Sequence, residues 1–261
     1  MNEATSISET QNIEEKKTIL EVENLSKYFE GLKALNKVNF SIKAGELVGI
    51  IGPNGAGKTT LFNVLTGFLK PEKGSSIIVD GKNIVGWPTF KIAKLGVART
   101  FQLVRPFKML SALENATVPH IPRHKLSRSS TLKNRATWSL IQVDLAEKKN
   151  YPSFILPHGD LKRLDFARTM AVKPKLLLLD EPFAGLSHEE AFRVDRLIRE
   201  ENKKGMTIII IEHKLKLLMK LVERVLVLDQ GKKIGEGTPK EVATNPEVIS
   251  AYLGTEAQHY V

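Results

Sequence analysis

An α/β fold built on a parallel central sheet is the class this sequence predicts, and three stretches predict it. Leu47 to Ile51 is a nearly continuous apolar run, followed at once by a glycine-rich segment and a helical pattern. Leu176 to Leu179 and Thr207 to Ile211 repeat the buried-strand pattern, with a helical stretch from His188 to Lys203 between them. Runs this short and apolar suit strands covered on both faces, and strand, helix, strand in succession implies parallel pairing.

The other elements follow in chain order. Alternation at Ile19 to Val22 and at Val38, Phe40 and Ile42 predicts half-buried strands ahead of the central one. LFNVLTGF, after the glycine segment, has helical spacing and ends near Gly67. Between Gln102 and Leu156 the pattern turns polar and basic, with Pro106, Pro119, Pro122 and Pro152 and a weakly helical stretch around Leu132 to Leu145; this predicts an inserted helical subdomain. Arg224 to Leu228 and Lys232 to Gly237 read as β-rich pieces around a turn at Gln230 and Gly231, and helical segments close the chain.

Composition bounds the function. The chain has 261 residues, 42% hydrophobic and 26% charged, enough to bury a sizeable core in one domain with an insertion. The expected division is a tail over 1–18, a single domain over 19–254 with the helical insertion at about 103–172, and a flexible end over 255–261. No apolar run approaches the roughly 18 to 20 residues that a bilayer-crossing helix needs, and the opening MNEATSISETQNIEEKK is polar and acidic where a signal peptide has an apolar core. With no cysteine, disulfides, thiolate metal sites and a cysteine nucleophile are excluded. Lys plus Arg outnumber Asp plus Glu by 39 to 29, which favours an acidic partner or ligand. Part of the excess is local, Arg123, Lys125, Arg128, Lys133, Arg135, Lys148 and Lys149 standing against Asp144 and Glu147; a solvated helical face is the first reading of it and proximity to an anionic leaflet the second.

The glycine segment carries the chemistry. Gly52, Pro53, Asn54, Gly55, Ala56, Gly57, Lys58, Thr59 and Thr60 contain GxxxxGK[ST], the P-loop pattern. Its glycines let the backbone approach phosphates closely, so that successive amide hydrogens form an anion nest, and the following helix points its positive end there. Lys58 can reach β and γ oxygens, and the Thr59 hydroxyl suits Mg²⁺, which prefers hard oxygen ligands. A strand before and a helix after weigh against a chance glycine turn. The second half of such a site is LLLLDEP, where a buried strand delivers Asp180 as a magnesium-holding carboxylate and Glu181 as a general base, a role worth roughly 10² to 10⁴ in rate. A solvated acidic pair before Pro182 is the competing reading, and the glycine loop upstream weighs against it.

Five segments in register then resemble the ABC ATPase family: GPNGAGKTT, RTFQ at Arg99 to Gln102, LPHGDLKRLDFARTMA, LLLLDEP, and IIIIEH ending at His213. The resemblance runs from Ile19 onward. It implies a P-loop NTPase mixed sheet with an N-terminal antiparallel β-subdomain and an inserted helical subdomain, and ATP and Mg²⁺ as ligands. It gives Gln102 a contact to magnesium and attacking water, against the alternative of a buried polar bond. It makes His213 a switch at the γ-phosphate, against an ordinary surface histidine. An aromatic ring before the second strand stacks on adenine in this family; by spacing Phe29 fits better than Tyr28, though either ring could be core.

GVARTFQLVRPFKMLSALENATVPH, LPHGD, DEPFAGLS and NPEVISAYLG further resemble the branched-chain amino acid uptake subfamily. Lipopolysaccharide-export ATPases are the nearest alternative, and their signature commonly reads LSGGE. The resemblance implies membrane permease subunits as partners and a second ATPase subunit, a different chain in preference to another copy. It further implies an indirect link to a solute-binding protein, a peripheral place on the cytoplasmic side of the membrane, and no nucleic acid. Competing classes are ribosome- or DNA-directed relatives, which carry paired cassettes or a long coiled coil, and a non-catalytic nucleotide sensor.

Two departures stand out. The usual LSGGQ is here Leu156, Pro157, His158, Gly159 and Asp160, and proline supplies neither hydroxyl nor amide hydrogen. Gly159 and Asp160, opening a helix, remain expected donors to a phosphate of the opposite subunit. Ser187 stands where the family has aspartate, and with Glu190 it reads as a capping box.

Overall fold

The structure is a computed structural model that describes residues 16–120 and 129–253. Arg123, Lys125 and Arg128 of the basic stretch, residues 1–15 of the expected tail, and 254–261 lie outside the described residues. In chain order the main elements are β1 (Thr18–Phe29), β2 (Leu32–Lys43), β3 (Leu47–Ile51), α1 (Lys58–Leu65), β4 (Ser76–Val79), β5 (Lys82–Asn83), α2 (Thr89–Leu95) and β6 (Val97–Arg99). Then come α3 (Ala112–Thr117), α4 (Ser129–Gln142), α5 (His158–Met170), β7 (Leu176–Asp180), α6 (His188–Lys203), β8 (Thr207–Ile211), α7 (Leu215–Leu221), β9 (Arg224–Asp229), β10 (Lys232–Gly237) and α8 (Pro239–Thr244).

The main sheet has the order β10-β9-β3-β8-β7-β6. Its strands from β9 to β6 run parallel and β10 closes the edge antiparallel, so the sheet is mixed. The apolar runs are continuous because both faces are covered, and the two-residue period of a strand divides them. Leu47, Ile51, Leu177, Leu179, Ile208 and Ile210 face the core shared with α5, α6 and α7. Val48, Ile50, Leu176, Leu178, Ile209 and Ile211 face the core shared with α1 and the second sheet.

That second sheet is antiparallel, in the order β2-β1-β4-β5. Its first two strands are longer than the alternation at Ile19 to Val22 implied, because β1 and β2 pair along their whole length through several register shifts. β1 opens at Thr18, inside the stretch expected as a tail. Lys17 is fixed as well, its carbonyl accepting from Ala44 N at 2.8 Å and its ammonium paired with Asp80 at 2.5 Å. β4 and β5, which follow the P-loop helix, complete the sheet, so it is not confined to the N-terminal segment. They are joined by Asp80 and Gly81, both at positive φ (47° and 77°) as a tight hairpin turn requires.

Between β6 and β7, where the sequence predicts an insertion, α3, α4 and α5 pack on one another. α4 ends at Gln142, short of the expected Leu145. Asp144 takes a left-handed φ of 55° and Leu145 N folds back to Leu140 O at 2.8 Å, a helix stop made without glycine.

Candidate functional site

Sheet order decides what meets. β3, β8 and β7 are neighbours, so their carboxyl ends bring together the glycine loop after Ile51, His213 after β8, and Asp180 and Glu181 at the end of β7. A cleft of about 820 Å³ opens there, lined by Phe29, Asn54, Gly55, Ala56, Gly57, Lys58, Thr59, Thr60, Glu181 and His213. Phe29 lines it and Tyr28 does not, so of the two rings only Phe29 is placed for a base. Lys33, Asn36, Gln230 and Lys232 line it too, and sequence reading missed them. The turn at Gln230 and Gly231 was the available signal: a side chain at Gly231 would stand 2.7 Å from Lys33 O, so that turn packs on the start of β2.

The loop is shaped by close approach. Gly57 has φ 101°, and a Cβ there would lie 2.3 Å from Ala34 O. Lys58 threads back across the loop, its Nζ donating to the carbonyls of Gly52 at 2.7 Å and Pro53 at 2.9 Å. Burial lowers its pKa, and the charges of Glu181 and Asp180 work against that shift.

Glu181 stands at φ 48°, a strained backbone for a residue with a Cβ. Both ends of its carboxylate are held: Gln102 Nε2 donates to Oε2 at 2.8 Å, and His213 Nε2 lies 3.0 Å from Oε1. The three residues assigned to hydrolysis therefore meet in one cluster, with Glu181 at its centre. Beside it, Glu212 is 2% exposed, has no partner for Oε1, and is pushed up to about pKa 7, chiefly by burial.

Thr59, Gln102 and Asp180 line one adjoining hollow of about 750 Å³. A hydroxyl, an amide and a carboxylate are the hard oxygen donors that magnesium takes, so this set fits the ion. Asp180 is not a bare carboxylate: Arg99 Nη2 meets its Oδ2 at 2.6 Å, both side chains being almost fully buried. Arg99 also donates to Asn63 Oδ1 at 2.7 Å and lies over the Phe62 and Phe101 rings. Sequence reading missed this cation, since nothing local links positions 81 residues apart.

The signature residues line neither hollow. Pro157 stands at the N-cap position of α5 without a side-chain cap, and the first turn begins at His158. Asp160, expected to face a phosphate, instead accepts hydrogen bonds from Lys148 and Arg163. Burial raises its pKa, and these two partners outweigh that and hold it below the ordinary carboxylate value. Gly159 is a contact position, since a Cβ would sit 2.1 Å from Glu190 Oε1. Glu190 and Ser187 form the expected capping box at the start of α6.

A family model described as "ABC transporter" matches residues 35–184, and one described as "Branched-chain amino acid ATP-binding cassette transporter" matches 232–258. The chain belongs to the ABC transporter ATP-binding family. The cassette is 41% identical over 251 residues to the high-affinity branched-chain amino acid transport ATP-binding protein LivG of Escherichia coli K12, covering 90% of this chain and 98% of that one. It is 34% identical to the probable branched-chain amino acid transport ATP-binding protein LivG of Archaeoglobus fulgidus, covering 91% and 96%. Among solved structures it is similar to the ADP conformation of MJ1267, an ATP-binding cassette of an ABC transporter, with TM-score 0.83, 31% identity and coverage of 91% and 99%. The dimeric post-hydrolysis state of the cassette MJ0796 bound to ADP and Pi gives TM-score 0.76 at 26% identity, covering 85% and 99%. The cassette is an ATPase by family and by fold, and no helix among the described residues is long and apolar enough to cross a membrane.

Proposed function

We propose that this ABC ATPase binds ATP with Mg²⁺ on the P-loop and hydrolyses it to drive uptake of branched-chain amino acids or related amino acids and amides through a membrane permease. The observation that carries the reading is the clasp of Glu181 between Gln102 and His213, at the rim of the cleft floored by Gly55 to Thr60. The backbone nest and Lys58 bind the phosphates, Phe29 stacks on the base, and Thr59, Gln102 and Asp180 hold magnesium. When bound, magnesium neutralises phosphate charge as the terminal bond breaks. Glu181 takes a proton from the attacking water while Gln102 orients that water and His213 donates toward the γ-phosphate. Gly159 and the first turn of α5 serve the nucleotide of a second ATPase subunit.

The permease side of the reading rests on the hollow beside Gln102. Phe68, Phe101, Leu103 and Val172 give it an apolar wall, and Arg105 and Arg168 a basic edge, between the main sheet and the inserted helices. A permease segment seated there would feel Gln102 move, placing the cassette peripherally on the cytoplasmic face, with a solute-binding protein linked only through the permease. The cargo assignment follows the relatives and the match over residues 232–258.

Glu181→Gln tests the chemistry. The amide keeps the shape and loses the base, so ATP binding in magnesium buffer should be preserved and turnover should fall at least about a hundredfold. Phosphate release measured beside fluorescent-nucleotide titration decides it, and undiminished turnover removes Glu181 from the role. Uptake by vesicles holding the cassette with its permease, assayed with labelled leucine, tests the cargo.

A further inference from the structure

Lys162 is a buried cation that the proposed chemistry does not use. It lies in the second turn of α5, 8% exposed, and its Nζ reaches out of the inserted subdomain to two backbone carbonyls. One is Gln102 O at 2.9 Å, the other Glu181 O at 3.1 Å. Burial lowers the pKa of this ammonium, while Asp165, Glu212, Glu181 and Asp180 around it act the other way. A long, flexible side chain is ordered and desolvated here, and what it gains is a joint between three elements distant in sequence.

We propose that Lys162 is a positioning residue for hydrolysis, holding Glu181 and Gln102 in reacting register and tying both to the helix that opens with the signature. This rests on Glu181 acting as the base. Its backbone is strained at φ 48°, a conformation that persists only where the surroundings over-determine it. The amide of Glu181 is fixed by Ile211 O at 2.9 Å and the carboxylate by Gln102 and His213; the carbonyl accepts from Ala184 N at 3.2 Å within its own turn and from Lys162, which alone links it to α5. The same ammonium fixes the carbonyl of the residue whose side chain grips the base. Displacement of α5 would therefore move the backbone of base and water-orienting residue together and leave the P-loop in place.

The test uses the full chain, with its permease complex where turnover needs it. Lys162→Met keeps the length and removes the donors. Turnover at saturating ATP should fall about a hundredfold, the scale of a misplacement near 1 Å, with nucleotide affinity changed less than about twofold. Lys162→Arg, which keeps charge and donors, should restore most of kcat, and it serves as the folded comparison if the methionine variant is unstable. In a Glu181→Gln background Lys162→Met should cost nothing further. Wild-type kcat in Lys162→Met, a loss confined to nucleotide affinity, failure of arginine to rescue, or a full additional loss on top of Glu181→Gln would each overturn the proposal. If Glu181→Gln alone leaves turnover intact, the base assignment fails instead, and the two failures are distinguishable.

Discussion

Glu212 shows what a single residue costs and supplies at this site. It follows β8 directly, next to His213; among the described residues its side chain accepts only from His213 N, at 3.3 Å, and one buried oxygen is left without a partner. Its folded pKa of about 7 exceeds the ordinary 4.5, so the native state binds the proton more tightly than the unfolded chain does. The sign follows from linkage: the stabilisation is complete below pH 4.5 and is lost as pH rises through 7. Glu212→Gln removes the ionising group. At pH 8 the variant should be more stable than the parent by on the order of 3 kcal/mol, the gap closing toward pH 4.5. Urea unfolding across that range checks it, and a difference independent of pH would refute the desolvation account. Arg99 is the converse case, a cation buried against the Asp180 carboxylate, so that replacing either partner alone leaves an uncompensated charge.

At the scale of elements, α5 is pinned where its first turn meets the end of α4. Asp160 accepts from Lys148 and Arg163, and Arg163 Nη1 also donates to Val143 O at 2.8 Å and Asp144 O at 3.0 Å. Asp160→Ala strips the carboxylate from a buried guanidinium that keeps its two carbonyls. The cost should therefore fall below the 3–5 kcal/mol of a fully broken buried pair, at about 2–3 kcal/mol in denaturant unfolding, and Asp160→Asn should recover part of it. The same elements show what the sequence made legible. β3, β7, β8 and the span of α6 could be read because their periodicity is set locally by burial on both faces and by Ser187 and Glu190 at the helix start. β6 could not, since three residues become a strand only through pairing with β7. The β4–β5 hairpin carried a readable Asp-Gly turn, whereas the reach of Lys162 to Gln102 spans 60 positions and has no local trace. The P-loop, Glu181, Gln102, His213 and Phe29 were legible as residues; the clasp that joins three of them was not.

For the whole molecule, the decisive geometry is the separation between the nucleotide cleft and the signature. Pro157 to Asp160 line neither hollow, so none of the four contributes to the phosphate cradle of its own chain. The expectation of composite sites between two subunits therefore requires the start of α5 to be supplied in trans. On the side that this chain supplies, Pro157 lacks hydroxyl and amide hydrogen, and Asp160 is committed to Lys148 and Arg163. Its contribution reduces to His158 and the backbone of Gly159, fewer donors than a serine-bearing signature offers. A pair of identical chains would then have two weak sites. A pair with a different ATPase subunit would have one site joining this P-loop to the partner's signature and one joining the partner's P-loop to LPHGD. The mixed pair should turn over faster per site than the chain alone, by roughly fivefold if about 1.4 kcal/mol of phosphate contact makes one of its two sites about tenfold faster. Within it, Glu181→Gln in this chain should remove most of the activity, while the equivalent change in the partner removes little. Phosphate release per bound nucleotide, measured on both preparations, decides between these outcomes, and equal turnover per site in the two samples would count against the asymmetry.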